Sequence, residues 1–123
     1  MTQTCPIVGA FYRPPAKALL DHMHVGAKLI LRAEPENPYD SNAIAVWLPQ
    51  ETMILISKPA LDEALAGYGT TCHDLASLDE IHLGYIPKEM AANLKSSGFP
   101  EGVDVPAEFS VGSNGGPRVR FEQ

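Results

Sequence analysis

The sequence predicts one mainly β domain of about six short strands with one or two helices, arranged as a small barrel or sandwich. Three observations point there. The chain has 123 residues and is 45% hydrophobic, enough for a single core. Its 11 Pro and 10 Gly are many for a helical bundle and suit a turn-rich fold. Val103–Val111 alternates cleanly, with Val103, Val105, Ala107, Phe109 and Val111 on one face and Asp104, Pro106, Glu108 and Ser110 on the other.

Taken in order, Cys5–Tyr12 reads as a first strand, with Gly9 marking a bulge or a close backbone approach, stopped by Pro14-Pro15. Ala16–Met23 reads as a short helical turn or a loop that packs Leu19 and Leu20 inward. Gly26–Ala33 is a second strand, with Leu29, Leu31 and Ala33 on one face and Lys28, Ile30 and Arg32 on the other. Asn42–Leu48 is a third, apolar on both faces and therefore central, with Trp47 expected in the core. Met53–Ile56 is expected to extend a strand. Ser57 is expected to cap a short helix that holds Pro59 early, buries Leu61, Ala64 and Leu65, and ends at Gly67. A loop then runs through Ser77. Glu80–Ile86 is a strand, and Pro87 opens a helix over Lys88–Ser96 with Met90, Ala91 and Leu94 on one side. Pro106 suggests an edge or a bulge in Val103–Val111. The glycine-rich turn Gly112–Gly116 leads to a last strand, Pro117–Glu122, with Val119 and Phe121 inward and Arg118 and Arg120 outward.

The net charge of −6 argues on average against nucleic acid, but the acids are unevenly spread. Gln50–Glu80 holds six acidic residues and one base, Lys58, a net of −5, so the rest of the chain is nearly neutral. Cys5 and Cys72 are too few for a disulfide framework and are expected as small buried residues or free thiols. His22/His24 and Cys72-His73 do not make two spaced ligand pairs, so neither a metal nor any other cofactor is expected. No apolar run approaches the ~20 residues that span a membrane, and Met1–Thr4 lacks a signal-peptide pattern. A soluble, cytoplasmic protein is expected. No nucleophile elbow, Walker loop or dinucleotide fingerprint occurs.

The polar corner Glu34–Asn42 (EPENPYDSN) stands out between two apolar runs. Pro35 and Pro38 fix φ, and Asn, Asp and Ser supply side chains that bond their own backbone. Tyr39 beside Asp40 admits two readings: a hairpin turn with a packed tyrosine, or a ligand-facing corner with a flat ring next to a hydrogen-bond acceptor.

Three segments read together carry a resemblance. They are Ile7-Val8-Gly9 leading to Tyr12, Glu34–Val46 with its Asn-Pro-Tyr-Asp-Ser-Asn-Ala-Ile run, and Gly84-Tyr85-Ile86-Pro87-Lys88. In this order, with the Lys28–Arg32 strand between, the chain resembles the HIRAN domain, as one domain over 1–123 with an acidic insertion expected at 49–79. The resemblance implies an OB-like, six-stranded barrel without catalysis of its own. It implies binding of single-stranded DNA at its 3′ end, in DNA repair or processing and beside a helicase or nuclease partner. By position, Asp40 would accept a hydrogen bond from the 3′-hydroxyl, Tyr39 and Tyr12 would contact terminal bases, and Lys88 would lie near a phosphate. Tyr85 stands where some members carry His, and Phe11 where others carry a basic residue. Arg13 adds a further basic contact. With so few cations, weak and salt-sensitive binding is expected. The alternative is a regulatory protein-interaction domain that works through the acidic segment 50–80. An enzymatic reading has only Asp40 with Glu34 or Glu36 to offer as metal-binding carboxylates.

Overall fold

A computed structural model describes residues 1–56 and 58–123, with only the backbone of Phe11. The Ser57 cap expected from the sequence lies outside the described residues. Six strands form one antiparallel sheet: β1 (Thr2–Pro6), β2 (Lys28–Ala33), β3 (Ile44–Pro49), β4 (Glu80–Tyr85), β5 (Val105–Val111) and β6 (Pro117–Glu122), in the order β1-β6-β5-β2-β3-β4. Among the described residues there are also five α-helices: α1 (Pro14–His22), α2 (Gln50–Leu55), α3 (Pro59–Ala66), α4 (Cys72–Ala76) and α5 (Lys88–Ser96). That is more than the one or two expected. None is long and apolar enough to cross a membrane.

Period-2 alternation sets the two faces of the sheet. Leu29 and Leu31 of β2, Ile44, Val46 and Leu48 of β3, Leu83 of β4, Phe109 of β5 and Val119 of β6 are buried on the inner face. Leu19 of α1 and Leu61 and Leu65 of α3 are fully buried in the same core, and α3 packs on α1. Each such side chain contributes roughly 1.5–3 kcal/mol relative to exposure. The acidic segment thus helps to build the core, through Met53, Ile56, Leu61, Leu65, Cys72 and Leu75. Cys5 and Cys72 are buried free thiols.

The strand ladders do not close the sheet into a barrel. β1 and β4 are its outer strands, and their ends meet at one isolated bridge, Val8 to Tyr85. The first strand is shorter than expected and stops at Pro6. Gly9, at φ 84°, then turns the chain into a 3-10 turn over Ala10–Tyr12. Pro14 and Pro15 do more than stop a strand, since they occupy the favoured start of α1.

Met53–Leu55 is helical rather than extended and Ile56 caps that helix, because Thr52, Met53 and Ile56 are the buried positions and their spacing is that of a helix. The expected loop through Ser77 contains α4, started by a reciprocal capping box between Thr71 and Asp74. Pro106 lies on an interior strand. The β6 ladder begins only at Glu108, however, so Pro106 pairs with β2 alone, where a missing N–H is tolerated. Trp47 is outside the core, half-buried on the outer face.

Candidate functional site

The β2–β3 connection carries the polar corner. Its neck is closed by the Glu34 amide donating to the Ala43 carbonyl at 2.8 Å. Inside it, the Asn37 amide donates to the Glu34 carbonyl at 3.0 Å, and the Ala43 amide to the Asp40 carbonyl at 3.0 Å. Asn37 Oδ1 accepts from the amides of Tyr39 and Asp40 at 2.8 and 3.1 Å. Asp40 Oδ1 accepts from the Asn42 amide at 2.9 Å, an Asx turn. The corner is therefore fixed by its own side chains. It holds the Tyr39 side chain in solvent, 93% exposed, and leaves Asp40 Oδ2 without a protein donor among the described residues.

Tyr85 ties this corner to the other two segments. Its backbone exchanges hydrogen bonds of 2.8 Å each way with Val8. Its hydroxyl donates to Glu34 Oε1 at 3.0 Å, and Asn37 Nδ2 donates to the same oxygen at 3.0 Å. The Arg13 guanidinium lies over its ring, 5.5 Å from the centroid. Burial and then the Glu34 carboxylate push the Tyr85 phenol above its ordinary value.

A bulge puts Tyr85 and His82 on one face. Val46 pairs with Gly84 while Trp47 pairs with His82, so Leu83 is the extra residue and turns inward. His82 meets Tyr85 edge-on at 4.8 Å and stacks on Trp47 at 4.7 Å. Arg32 lies 5.2 Å from the Trp47 ring centroid. Glu80 holds it in a bidentate pair at 2.7 and 2.9 Å, and Asp104 at 2.7 and 3.1 Å. Those carboxylates take four of the five Arg32 N–H donors and balance its charge. Arg13, by contrast, donates to the Gly9 carbonyl at 3.2 Å and has no carboxylate partner among the described residues. Burial lowers the His82 pKa, and the nearby Arg13 charge lowers it further.

The structure thus joins four of the six site residues expected from the sequence. Arg13 and Tyr85 touch, and Tyr85 is bonded through Glu34 and Asn37 to the backbone of Tyr39 and Asp40. Tyr12, 84% exposed, ends the 3-10 turn next to Arg13 rather than a strand. Lys88 is exposed at the first position of α5, without an ion pair among the described residues. The segment before it is anchored by the Ile86 amide donating to the Ile44 carbonyl at 3.0 Å. Sequence reasoning offered Glu34 only as a metal-binding carboxylate in the enzymatic reading, and missed Asn37 and His82 as parts of the site. The spacing of Asn37 to Tyr39 and Asp40 carried an Asx-turn signal, whereas only the fold brings Tyr85 to Glu34.

These features define a small antiparallel β domain with a fixed polar corner that presents aromatic rings to solvent. Residues 2–105 match the HIRAN domain family, and the chain belongs to that family. No curated protein and no solved structure matches the chain. HIRAN domains are a family that binds single-stranded DNA and its 3′ ends.

Proposed function

We propose that this domain is a non-catalytic module for single-stranded DNA that recognises the 3′-hydroxyl end, in DNA repair or processing and alongside a helicase or nuclease. In this reading Tyr39 and Tyr12 stack on terminal bases, a contact worth ~1–3 kcal/mol per base and indifferent to sequence. Asp40 Oδ2 accepts from the 3′-hydroxyl and repels a 3′-phosphate. Arg13 and Lys88 supply the phosphate contacts, so affinity is modest and falls with salt. Val8 and Tyr85 draw the ends of the sheet toward an OB-like closure beneath the site. The observation that carries the reading is Tyr39, a ring kept 93% exposed by a corner whose hydrogen bonds hold it there. The acidic helices pack on α1, β3 and one another and leave that ring uncovered. Fluorescence anisotropy at low salt, with oligonucleotides ending in 3′-hydroxyl or 3′-phosphate, tests it. Tighter binding to the 3′-hydroxyl is expected, and equal or absent binding to both rejects it.

A second reading has one observation in its favour. Ile54 and Leu55 of α2 are 59% and 77% exposed within the acidic segment 50–80, a surface suited to a basic, partly apolar partner. Deleting the segment would remove core residues, so point changes are the proper probe. A lysine-rich amphipathic peptide should shift the NMR signals of Ile54 and Leu55 in the parent and not in Leu55→Asp. Unchanged signals in the parent reject this reading.

A further inference from the structure

We infer that Glu34 and Asn37 are positioning residues for end recognition, carrying the placement of Tyr85 through one carboxylate oxygen to the backbone that presents Tyr39 and Asp40. The inference rests on the DNA-end reading above. Its basis is an unbroken run of hydrogen bonds. The Tyr85 hydroxyl and Asn37 Nδ2 both donate to Glu34 Oε1, each at 3.0 Å. Asn37 Oδ1 in turn accepts from the amides of Tyr39 at 2.8 Å and Asp40 at 3.1 Å. The orientation of the Asn37 amide is dictated by its partners. A carboxylate only accepts and a backbone N–H only donates, so a flipped amide would lose all three bonds. The bonds to the carboxylate are charge-assisted and stronger than neutral ones.

Both ends of this run matter. At one end Tyr85 is held independently, by its backbone exchange with Val8 and by Arg13 over its ring. At the other end the bonds stop at the amides of the two residues that carry the proposed stacking ring and hydroxyl acceptor. Neither residue is bonded to the sheet by its side chain. Without the relay the corner keeps its neck, through the Glu34 amide and the Ala43 carbonyl, but loses its tie to β4. The Tyr39 ring and the Asp40 carboxylate would then no longer be held in register with the Arg13 side of the site. Glu34 needs no direct contact with DNA for this. A glutamine at 34 still offers Oε1 to both donors, so geometry rather than charge is what the relay requires.

Two readouts on the parent and four variants test the inference. Amide exchange at Tyr39 and Asp40, followed by NMR without DNA, reports the relay alone. The ratio of 3′-hydroxyl to 3′-phosphate affinity reports its consequence. In Tyr85→Phe and Glu34→Ala, exchange at both amides should rise by about 2- to 12-fold, the equivalent of one net hydrogen bond, and the 3′-hydroxyl preference should shrink by a similar factor. Glu34→Gln should keep the relay, with exchange and preference much closer to the parent than in Glu34→Ala and short of it only by the lost charge assistance. The double variant Tyr85→Phe/Glu34→Ala should be no worse than Glu34→Ala, because both changes break one run. Unchanged exchange in the single variants overturns the relay, whatever the DNA does. A Gln variant that fails to rescue overturns its geometric basis. If exchange rises while the parent itself has no 3′-hydroxyl preference, the DNA-end reading falls and the run is only a structural tie.

Discussion

Gly84 and Val8 stand so close that a β-carbon on Gly84 would lie 2.4 Å from the Val8 carbonyl oxygen. That oxygen is already taken by the Tyr85 amide at 2.8 Å, in the bridge where the two ends of the sheet meet. The obstacle is backbone, so no side-chain rotation relieves it. Gly84→Ala should therefore push the β1 end away from β4 and cost about 1–3 kcal/mol, as overpacking of an interior does. Urea unfolding measures it. Stability within ~0.5 kcal/mol of the parent, the range of ordinary surface changes, would show that the bridge is dispensable.

Tyr39 makes the opposite case. Its ring is 93% exposed and its backbone is held by Asn37, so the ring does nothing for the core. Tyr39→Ala should leave the unfolding free energy within ~0.5 kcal/mol of the parent. Binding to single-stranded DNA should weaken by ~1–3 kcal/mol, equally for 3′-hydroxyl and 3′-phosphate ends, because stacking does not read the terminal group. Anisotropy titration distinguishes this from a loss confined to one kind of end, which would assign Tyr39 to end recognition instead.

Asp40 combines two jobs that one pair of substitutions separates. One oxygen closes the Asx turn with the Asn42 amide, and the other has no donor among the described residues. Asp40→Asn keeps the turn acceptor and removes the charge. It should leave stability unchanged and narrow the preference for 3′-hydroxyl over 3′-phosphate, since the repulsion of phosphate is gone. Asp40→Ala should narrow the preference as well and also cost about 0.5–1.5 kcal/mol of stability for the lost bond. A full preference retained in the Asn variant would mean that hydrogen bonding alone, without charge, sets the discrimination.

Most of the sheet was legible because alternation is a local signal. β2 and β6 present the faces read from sequence, and the Gly112–Gly116 hairpin is where the glycines put it, with the Gly112 amide bonded to the Gly116 carbonyl at 2.9 Å. Helix α5 matches its expected span, Lys88–Ser96, since proline and glycine bracket it. The acidic segment was harder. Met53 and Ile56 fit a strand or a helix equally over four residues, and only packing against the core decides. The site divides along the same line. The corner was readable from Pro, Asn and Asp, but the bulge at Leu83 that turns His82 and Tyr85 to one face leaves no mark in the sequence. The pairing of Tyr85 with Glu34 is likewise a product of strand register alone.

His82 makes stability depend on pH in a direction the structure fixes. Its ring is stacked on Trp47, meets Tyr85 edge-on, and donates from Nε2 to the Gly84 carbonyl at 3.0 Å; a carbonyl only accepts, so Nε2 carries the hydrogen. Burial first and Arg13 second hold its pKa below the ordinary value, with the Gly84 bond and the Glu34 charge opposing them. The folded state thus resists a proton that the unfolded chain accepts near the usual ~6.5. Between those two values the unfolded state binds more protons, so stability rises with pH; it is complete above ~6.5 and is lost as pH falls toward and through the lowered folded value. The urea midpoint of the parent should drop between about pH 7.5 and pH 5.5, a window above ordinary carboxylate titration. His82→Phe keeps a ring against Trp47 and has nothing to titrate, so its midpoint should change less over the same interval. Equal slopes for the two proteins would place the pH dependence in other groups and show that His82 accepts its proton in the folded state as readily as in the unfolded chain.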